Sequence, residues 1–411
     1  MPGSDDPAVA RTTGPPAVPR ATRPGYDLFV ALAVTTTASL PVFLVATLAI
    51  EIRQSLHFGA SALGMAVSLY YLGAAVGSVP LSRVVERVGG VRVLRVACLT
   101  SAALLVLLGT VTSSWLVLAV LLVPCGISSA AIAPASNLFL ARRIRPARQG
   151  AAFGVKQAAI PLASLVGGLS VPAVALTLGW RWAFLLAGAL ALAAGLLVPP
   201  SRTPAAVRAR SRPDGGAGGV DVVPLVILAA GLGLGVFAAS GLAAFLATAA
   251  VSAGFARGTA GLIVAAAGGA AVIVRVASGV LADRRGGRHF PVVATMLAVG
   301  AVGYGMAAVG AGLGVRWLLV PAAVLALGAG WGWNGLFNFA VVRTHIHAPA
   351  RATGITQVGG RLGGVLGPLT LGLVIDHASY AAAWSVATAV ALLAAGAVLV
   401  GRHLLVTRRA P

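Results

Sequence analysis

The sequence is short of charge, of cysteine and of lysine. Only 9% of its 411 residues are charged, whereas 58% are hydrophobic, and the mean hydropathy is +0.95. A soluble protein of this size needs far more charged surface, so a water-soluble fold is excluded. Cys98 and Cys125 both lie in apolar runs, and they predict neither a disulfide framework nor a cysteine metal site.

Acidic residues are equally scarce. Nine acids stand against 30 basic residues, and the formal net charge is +21. The acids all fall in predicted tails, loops or span ends, at Asp5, Asp6, Asp27, Glu51, Glu86, Asp214, Asp221, Asp283 and Asp376. A large positive charge can indicate nucleic-acid binding, but here the arginines come in small groups between apolar segments. This distribution predicts a lipid bilayer as the surroundings and no nucleic-acid partner.

Twelve apolar segments reach the length of about 20 residues that a bilayer crossing needs. Their approximate limits are 28–50, 62–82, 93–113, 115–141, 150–177, 182–199, 222–250, 259–281, 290–312, 316–342, 352–375 and 380–401. The first segment is too long for a signal-peptide core and no cleavage pattern follows it, so it is predicted to be an uncleaved span. The predicted fold class is an all-α membrane protein with 12 transmembrane helices.

The polar segments divide the chain. A stretch rich in Arg, Pro and Gly separates six spans from six and is typical of a linker. The predicted organisation is a disordered cytoplasmic tail at 1–26, a six-helix bundle at 27–200, a linker at 201–221, a second bundle at 222–402 and a tail at 403–411. With both termini in the cytoplasm, 23 basic residues lie on that side and four in the opposite loops. This excess predicts a multi-pass protein of the cell membrane with cytoplasmic termini.

The two halves repeat one another. "GVKQ" (Gly154–Gln157) matches "GITQ" (Gly354–Gln357), which aligns Lys156 with Thr356. Asn137, in "SNLFLAR", aligns in the same way with Asn338, in "FNFAVVR". Duplicated halves predict two pseudo-symmetric bundles with a binding site between them, near the middle of the membrane.

A family resemblance rests on the loop after the eighth span. Its sequence resembles the signature G-x-L-A-D-R-x-G of the major facilitator superfamily, and "GWRWAF" resembles the corner between the family's helices 5 and 6. The first-half copy, "SRVVERVGGVR", is degraded, with Ser82 and Glu86 at two signature positions. The resemblance covers the chain from about residue 27. It implies two six-helix bundles, a central cavity and alternating access.

The same resemblance implies a conformational latch on the cytoplasmic side. The residues concerned are Glu86, Arg87, Gly89, Gly279, Asp283, Arg284 and Gly286. In the family such residues form charge contacts that close this side of the carrier. The alternative is a loop stabilised by charges at helix ends.

Two departures from family motifs bear on which sub-family the chain resembles. Drug exporters of the superfamily usually carry an arginine on helix 4, where this chain has Leu122, four residues before Gly126. Their Gly-Pro motif on helix 5 is absent, and a partial version, "GVLGPLTLG" (Gly364–Gly372), sits on helix 11 instead. In these features the chain resembles anion-carrying branches, such as cyanate or organic-anion permeases.

Three cations fall inside predicted spans. Lys156, the single lysine, lies eight residues past Arg148, about 12 Å along the helix and close to the middle of the core. Arg275 lies eight residues before Asp283, and Arg361 lies one turn beyond Gln357. No acid lies within a span to pair with them. Because an unpaired charge in a membrane is costly, the missing partner is predicted to be an anionic substrate.

The predicted substrate-binding residues are Lys156, Gln157, Arg361, Gln357, Arg275, Asn334, Asn338 and Trp331. Structural roles compete with this assignment. Arg275 could extend towards the lipid headgroups, the glutamines could bond across helices, and the tryptophan could pack in the core. Lysine, unlike arginine, can lose its proton when desolvated, which would permit anion–proton symport.

The predicted function is a secondary active transporter for a small organic or inorganic anion, with protons as a candidate coupling ion. The alternative is a proton-coupled efflux pump for a drug or an amphiphilic metabolite. A receptor with a carrier fold would need an added soluble domain. An enzyme is least favoured, since no nucleophile–base pair or metal cluster stands out. We therefore expect a monomeric symporter or antiporter with no catalytic residue, metal or cofactor.

Overall fold

A computed structural model describes residues 24–145, 152, 154–199, 221–284, 289–345 and 348–407. Within these ranges, twelve helices are long and apolar enough to cross a membrane, as predicted. We number them α1 to α12: Gly25–Thr47, Ala60–Val88, Gly90–Thr110, Trp115–Arg143, Gly154–Ala175, Trp180–Leu197, Val222–Ser252, Arg257–Ser278, His289–Leu313, Arg316–Thr344, Arg351–His377 and Tyr380–Thr407. We call α1–α6 the first half and α7–α12 the second half.

The helix limits differ from the predicted ones by a few residues. The first helix begins at Pro24, inside the predicted tail, because proline is favoured at a helix start. It ends at Thr47, and a separate short helix, Ala49–Leu56, follows. The last helix continues past residue 402 to Thr407. Most of the predicted linker and of the predicted N-terminal tail lies outside the described residues, as do residues 408–411.

Twelve crossings return the chain to the end of the bundle where α1 begins. We call this the termini end, and the other the opposite end.

Local hydrogen bonds and backbone conformations determine where several helices begin. Ser114 accepts a hydrogen bond from the Val117 amide at the start of α4, and Asp221 caps α7 in the same way. Before α6, Gly179 has φ +95°, a conformation that favours glycine.

Two spanning helices are broken where they approach the other half. α5 has a turn at Ala158 and a wider π-helical turn at Val171–Ala175. α10 is interrupted at Trp333, between the segments Leu319–Gly332 and Asn334–Thr344. A break in a helix leaves some backbone carbonyl groups without their regular intrahelical hydrogen bonds. Those carbonyls then need other hydrogen-bond donors.

Close packing within each half depends on glycine. Gly126 of α4 lies against the carbonyl of Tyr70 on α2, and Gly363 of α11 lies against the carbonyl of Gly233 on α7. A methyl group at either glycine would overlap that carbonyl oxygen. The absent side chains therefore let the helix backbones touch, as is common in membrane bundles.

The two halves contact each other over the opposite end of the bundle. Ser68 of α2 donates a 2.6 Å hydrogen bond to the carbonyl of Val365 on α11. On the other side of the interface, Gly168 of α5 packs on Gly261 and Ala265 of α8. The pairs α2–α11 and α5–α8 thus close the molecule at this end.

Candidate functional site

Lys156 lies on α5 with 3% of its surface exposed. Its Nζ donates to Asn137 Oδ1 at 2.7 Å and to the carbonyl oxygen of Ala133 at 3.3 Å, both on α4. Both acceptors are neutral, and both Asn137 and Ala133 are exposed. Lys156 and Asn137 form what we call the first-half pair. Its ammonium is solvated by dipoles, without a carboxylate among the described residues.

The pair lies nearer to the termini end than the sequence predicted. Asn137 is six residues, about 9 Å, from the end of α4 at Arg143. Lys156 was expected close to the middle of the membrane because its depth was counted from Arg148, which lies outside the described residues. The side chain instead reaches α4 within the last third of that helix.

The second half repeats this arrangement with neutral residues. Gln357 Nε2 on α11 donates to Asn338 Oδ1 on α10 at 2.9 Å, and Asn338 Nδ2 donates to Asn334 Oδ1 at 3.1 Å. These three half-buried residues form the second-half trio. In both halves the residue on the later helix lies 19 positions after the asparagine that it contacts.

These contacts correct the alignment of the two halves by one residue. The sequence repeat paired Lys156 with Thr356, but Thr356 is fully buried and donates only to carbonyls of its own helix. The residue that contacts the equivalent asparagine is Gln357. The structural counterpart of Lys156 is therefore Gln357, which makes the same contact without a charge.

Arg361 lies one helical turn beyond Gln357 and is half-buried. Its Nη1 donates to the carbonyl of Ala74 on α2, at 3.1 Å, across the interface between the halves. Residues four apart share a helix face, so Gln357 also faces the first half.

Arg275 of α8 connects the two halves through their backbones. Its Nη1 donates to the carbonyl of Gln157 at 2.6 Å and its Nη2 to that of Trp331 at 3.0 Å. Gln157 precedes the turn at Ala158, and Trp331 precedes the break at Trp333, so both carbonyls lie next to helix breaks. Arg275, only 4% exposed, thus donates to two carbonyls that lie beside helix breaks.

The bridge through Arg275 limits the distance between two backbone carbonyls near the polar groups. Its two nitrogens belong to one planar guanidinium, so the carbonyl oxygens of Gln157 and Trp331 lie within about 8 Å of each other. Gln157 adjoins Lys156, and Trp331 lies three residues before Asn334. The backbone next to Lys156 and the backbone three residues before Asn334 therefore meet at the interface between the halves.

The other predicted binding residues have different surroundings. Trp331 is 6% exposed and packs on Phe43 of α1, with ring centroids 5.6 Å apart. Gln157 is half-buried, and the contact that involves it uses its backbone carbonyl. Asn137 was not among the predicted site residues, although its alignment with Asn338 was the signal that could have identified it.

The predicted latch is described only in part. Glu86 and Arg87 are exposed at the end of α2, and Gly89 follows with φ +95°. The helix that contains α8 continues through the positions of Gly279, Asp283 and Arg284. The side chains at these positions, and Gly286 as a whole, lie outside the described part. The latch remains a prediction.

Comparison with known proteins places this arrangement in a family. Residues 28–368 match the sequence profile of the Major Facilitator Superfamily. The chain therefore belongs to this superfamily, and it is a multi-pass membrane transporter expected to act on a small molecule. The family resemblance in the loop signature and the predicted fold class are thereby confirmed.

Similar proteins include a curated relative and solved structures of a bacterial transporter. An MFS-type efflux pump of Mycolicibacterium smegmatis (strain ATCC 700084 / mc(2)155) is 33% identical over 157 residues, 38% of this chain but only 36% of that protein. Crystal structures of a bacterial homolog to the human lysosomal transporter Spinster, inward-facing and either occupied or unoccupied, give TM-scores of 0.69 and 0.68. Both are 16% identical and cover 94% of this chain and 98% of theirs, which shows a shared fold.

Proposed function

We propose that this transporter is a secondary active carrier for a small organic or inorganic anion. The observation that carries the proposal is the environment of Lys156, a residue that is 3% exposed and whose ammonium is bonded to neutral oxygens alone. A charge inside a membrane costs several kcal/mol unless it finds a partner or a water-filled cavity. An anionic substrate would supply that partner when it binds.

The distribution of acids supports the same proposal. In the part of the chain that the structure describes, the ion pair present is Arg143–Asp27, 2.8 Å apart at the termini end. The contacts of Lys156, Arg275 and Arg361 go to amide or carbonyl oxygens. We assign substrate binding to Lys156 and Arg361, with the second-half trio beside them. Arg275 has a structural role in this scheme.

The curated relative favours a second candidate function. That protein is named an efflux pump, and a chain related to it over 157 residues could export a drug or an amphiphilic metabolite. In that case the buried cations would serve structure, and lipophilic cations would be transported as readily as anions. The two candidates thus differ in the charge of the substrate.

The proposed orientation, location and transport mechanism follow from the distribution of arginines and from the superfamily. The arginine excess supports cytoplasmic termini and a location in the cell membrane. Alternating access between the two bundles moves the substrate, the loop latch closes the termini end, and protons are the candidate coupling ion. The carrier is proposed to act as a monomer.

The test is a flux assay with the purified protein in liposomes. Radiolabelled small carboxylates and inorganic anions are compared with tetraphenylphosphonium, with and without a pH gradient. Anion uptake should exceed that of the cation and should fall at least tenfold in Lys156→Ala. Arg402→Ala, which removes an exposed arginine on α12, is the matched control and should transport normally.

Three results would contradict parts of the proposal. Transport of the cation alone would favour the efflux candidate. Undiminished anion uptake by Lys156→Ala would remove Lys156 from the binding site. Full pH-dependent uptake by Lys156→Arg would show that lysine titration is not needed for coupling.

A further inference from the structure

The first-half pair and the second-half trio are equivalent positions of the two halves, yet they offer different chemistry to a ligand. We infer that they bind opposite ends of one substrate, a small carboxylate that also carries a hydroxyl or amide group. This inference rests on the proposed anion-carrier function and narrows its substrate class.

The first-half pair offers hydrogen-bond donors. The ammonium of Lys156 has three N–H groups, of which two are directed to Asn137 Oδ1 and the Ala133 carbonyl, so one remains. Because Lys156 has no acceptor, Asn137 must present its oxygen to it, which leaves the Asn137 NH₂ group free to donate. A positive charge with one N–H to spare, beside an amide NH₂ group, matches the oxygens of a carboxylate.

The second-half trio offers both donors and acceptors. Gln357 uses its NH₂ group on Asn338, and its Oε1 accepts no hydrogen bond from the described residues. Asn334 uses its oxygen on Asn338, so its NH₂ group remains available. A hydroxyl or amide of the substrate can donate to Gln357 Oε1 and accept from the Asn334 NH₂ group. A second carboxylate in the same place would have no proton to donate to Gln357 Oε1.

The backbone segments next to the two groups approach each other at the interface between the halves. The Arg275 bridge keeps the backbone next to Lys156 within about 8 Å of the backbone at Trp331. Asn137 is exposed and the members of the second-half trio are half-buried, whereas Lys156 is 3% exposed, so a ligand would reach Lys156 past Asn137. One guanidinium thus links the backbone next to the charged group to the backbone near the neutral group.

The repeat also shows how the charge can be removed without loss of the local contact. Gln357 Nε2 reaches its asparagine at 2.9 Å, much as Lys156 Nζ does at 2.7 Å. Lys156→Gln should therefore keep the contact with Asn137 and lose only the charge. In the same way, Gln357→Lys should place an ammonium against Asn338 in the second half.

The first experiment compares matched substrates on the wild-type protein in liposomes. Uptake of labelled lactate is compared with that of propionate, and uptake of malate with that of succinate, because each pair differs by one hydroxyl group. We expect kcat/KM at least tenfold higher for the hydroxylated member of at least one pair. Equal uptake within both pairs would overturn the inference and leave the anion-carrier function standing. No uptake of any anion would instead count against the proposed function.

The second experiment moves the charge between the halves. Lys156→Gln should lower uptake of the preferred anion at least tenfold and leave uptake of lactamide, a neutral amide, at the wild-type rate or above it. The double variant Lys156→Gln/Gln357→Lys should recover at least a third of the anion uptake. Arg402→Gln is the control for loss of a cation.

The melting temperature in detergent shows whether each variant folds. A folded double variant without recovered anion uptake would mean that the two groups are not equivalent halves of one site. If the double variant does not fold, Asn137→Asp decides the question. An added carboxylate beside Lys156 should compete with the substrate and raise its KM at least tenfold, and an unchanged KM would overturn the inference.

Discussion

The carboxylate of Asp376, at the end of α11, accepts a 2.6 Å hydrogen bond from the backbone amide of Ser61, at the start of α2. Its other oxygen accepts from the amide of Ala60 at 2.9 Å. The residue before this helix is Gly59, which has no side chain to cap it and whose missing side chain leaves room for the carboxylate. The cap of a first-half helix is thus supplied by the second half.

Removal of this cap should favour opening at the opposite end of the bundle. Loss of a helix cap costs about 1 kcal/mol, and this cost shifts the equilibrium about fivefold. The reporter is Ser68→Cys, buried at the α2–α11 contact, in a chain without Cys98 and Cys125. An impermeant maleimide should label it several-fold faster in Asp376→Ala. Asp221→Ala, which removes a cap away from this contact, should not change the rate. Equal rates in all three proteins would show that Asp376 does not hold the halves together.

Arg275→Lys should destabilise the protein although it keeps the positive charge. An ammonium is a point donor and cannot span the carbonyls of Gln157 and Trp331 as the planar guanidinium does. One buried carbonyl would lose its donor, at a cost of about 1–3 kcal/mol. The measurement is the melting temperature in detergent, with Arg402→Lys as control. A melting temperature equal to that of the wild type would mean that the bridge adds no stability.

A methyl group at Gly363 should loosen the second half. It would overlap the carbonyl oxygen of Gly233 on α7, and overpacking of this kind costs about 1–3 kcal/mol. Gly354 lies on the same helix with open space around it, so Gly354→Ala should be neutral or stabilising by about 0.5–1 kcal/mol. The melting temperatures of the two variants should therefore move apart. A similar shift in both would contradict the packing described here.

The Glu51 carboxyl should make stability depend on pH. Burial raises its pKa above the ordinary 4.5, and the positive charge of Arg257 opposes this shift without cancelling it. Both carboxyl oxygens are buried without a hydrogen-bond partner in the described structure. Since the folded protein holds this proton more tightly than the unfolded chain, stability should fall as the pH rises from 4.5 through the raised pKa.

Glu51→Gln should remove this part of the pH dependence. The melting temperature of the variant, measured from pH 4 to pH 8, should exceed that of the wild type increasingly as the pH rises. Asp221→Asn removes a carboxylate but keeps a side chain able to cap, so it is the matched control. Parallel curves for Glu51→Gln and the wild type would rule out a buried proton on Glu51.

Much of the architecture could be predicted from the sequence. The twelve spans follow from hydrophobic length, which is a property of the chain itself, and the structure moves their ends by only a few residues. The repeated "GVKQ" and "GITQ" segments identified the helices that carry the polar groups. They also aligned Asn137 with Asn338, each of which contacts a residue on the following helix.

The tertiary structure alone decided which groups meet. The repeat could not distinguish Thr356 from Gln357 as the counterpart of Lys156, because a one-residue shift turns a side chain by about 100° around a helix and sends it to another face. Nor could it pair Asp376 with Ser61, 315 residues away, or direct Arg275 to two backbone carbonyls. Hydrophobicity determines that a segment crosses the membrane. Which faces of two helices come together depends on packing and hydrogen bonding between segments distant in the chain.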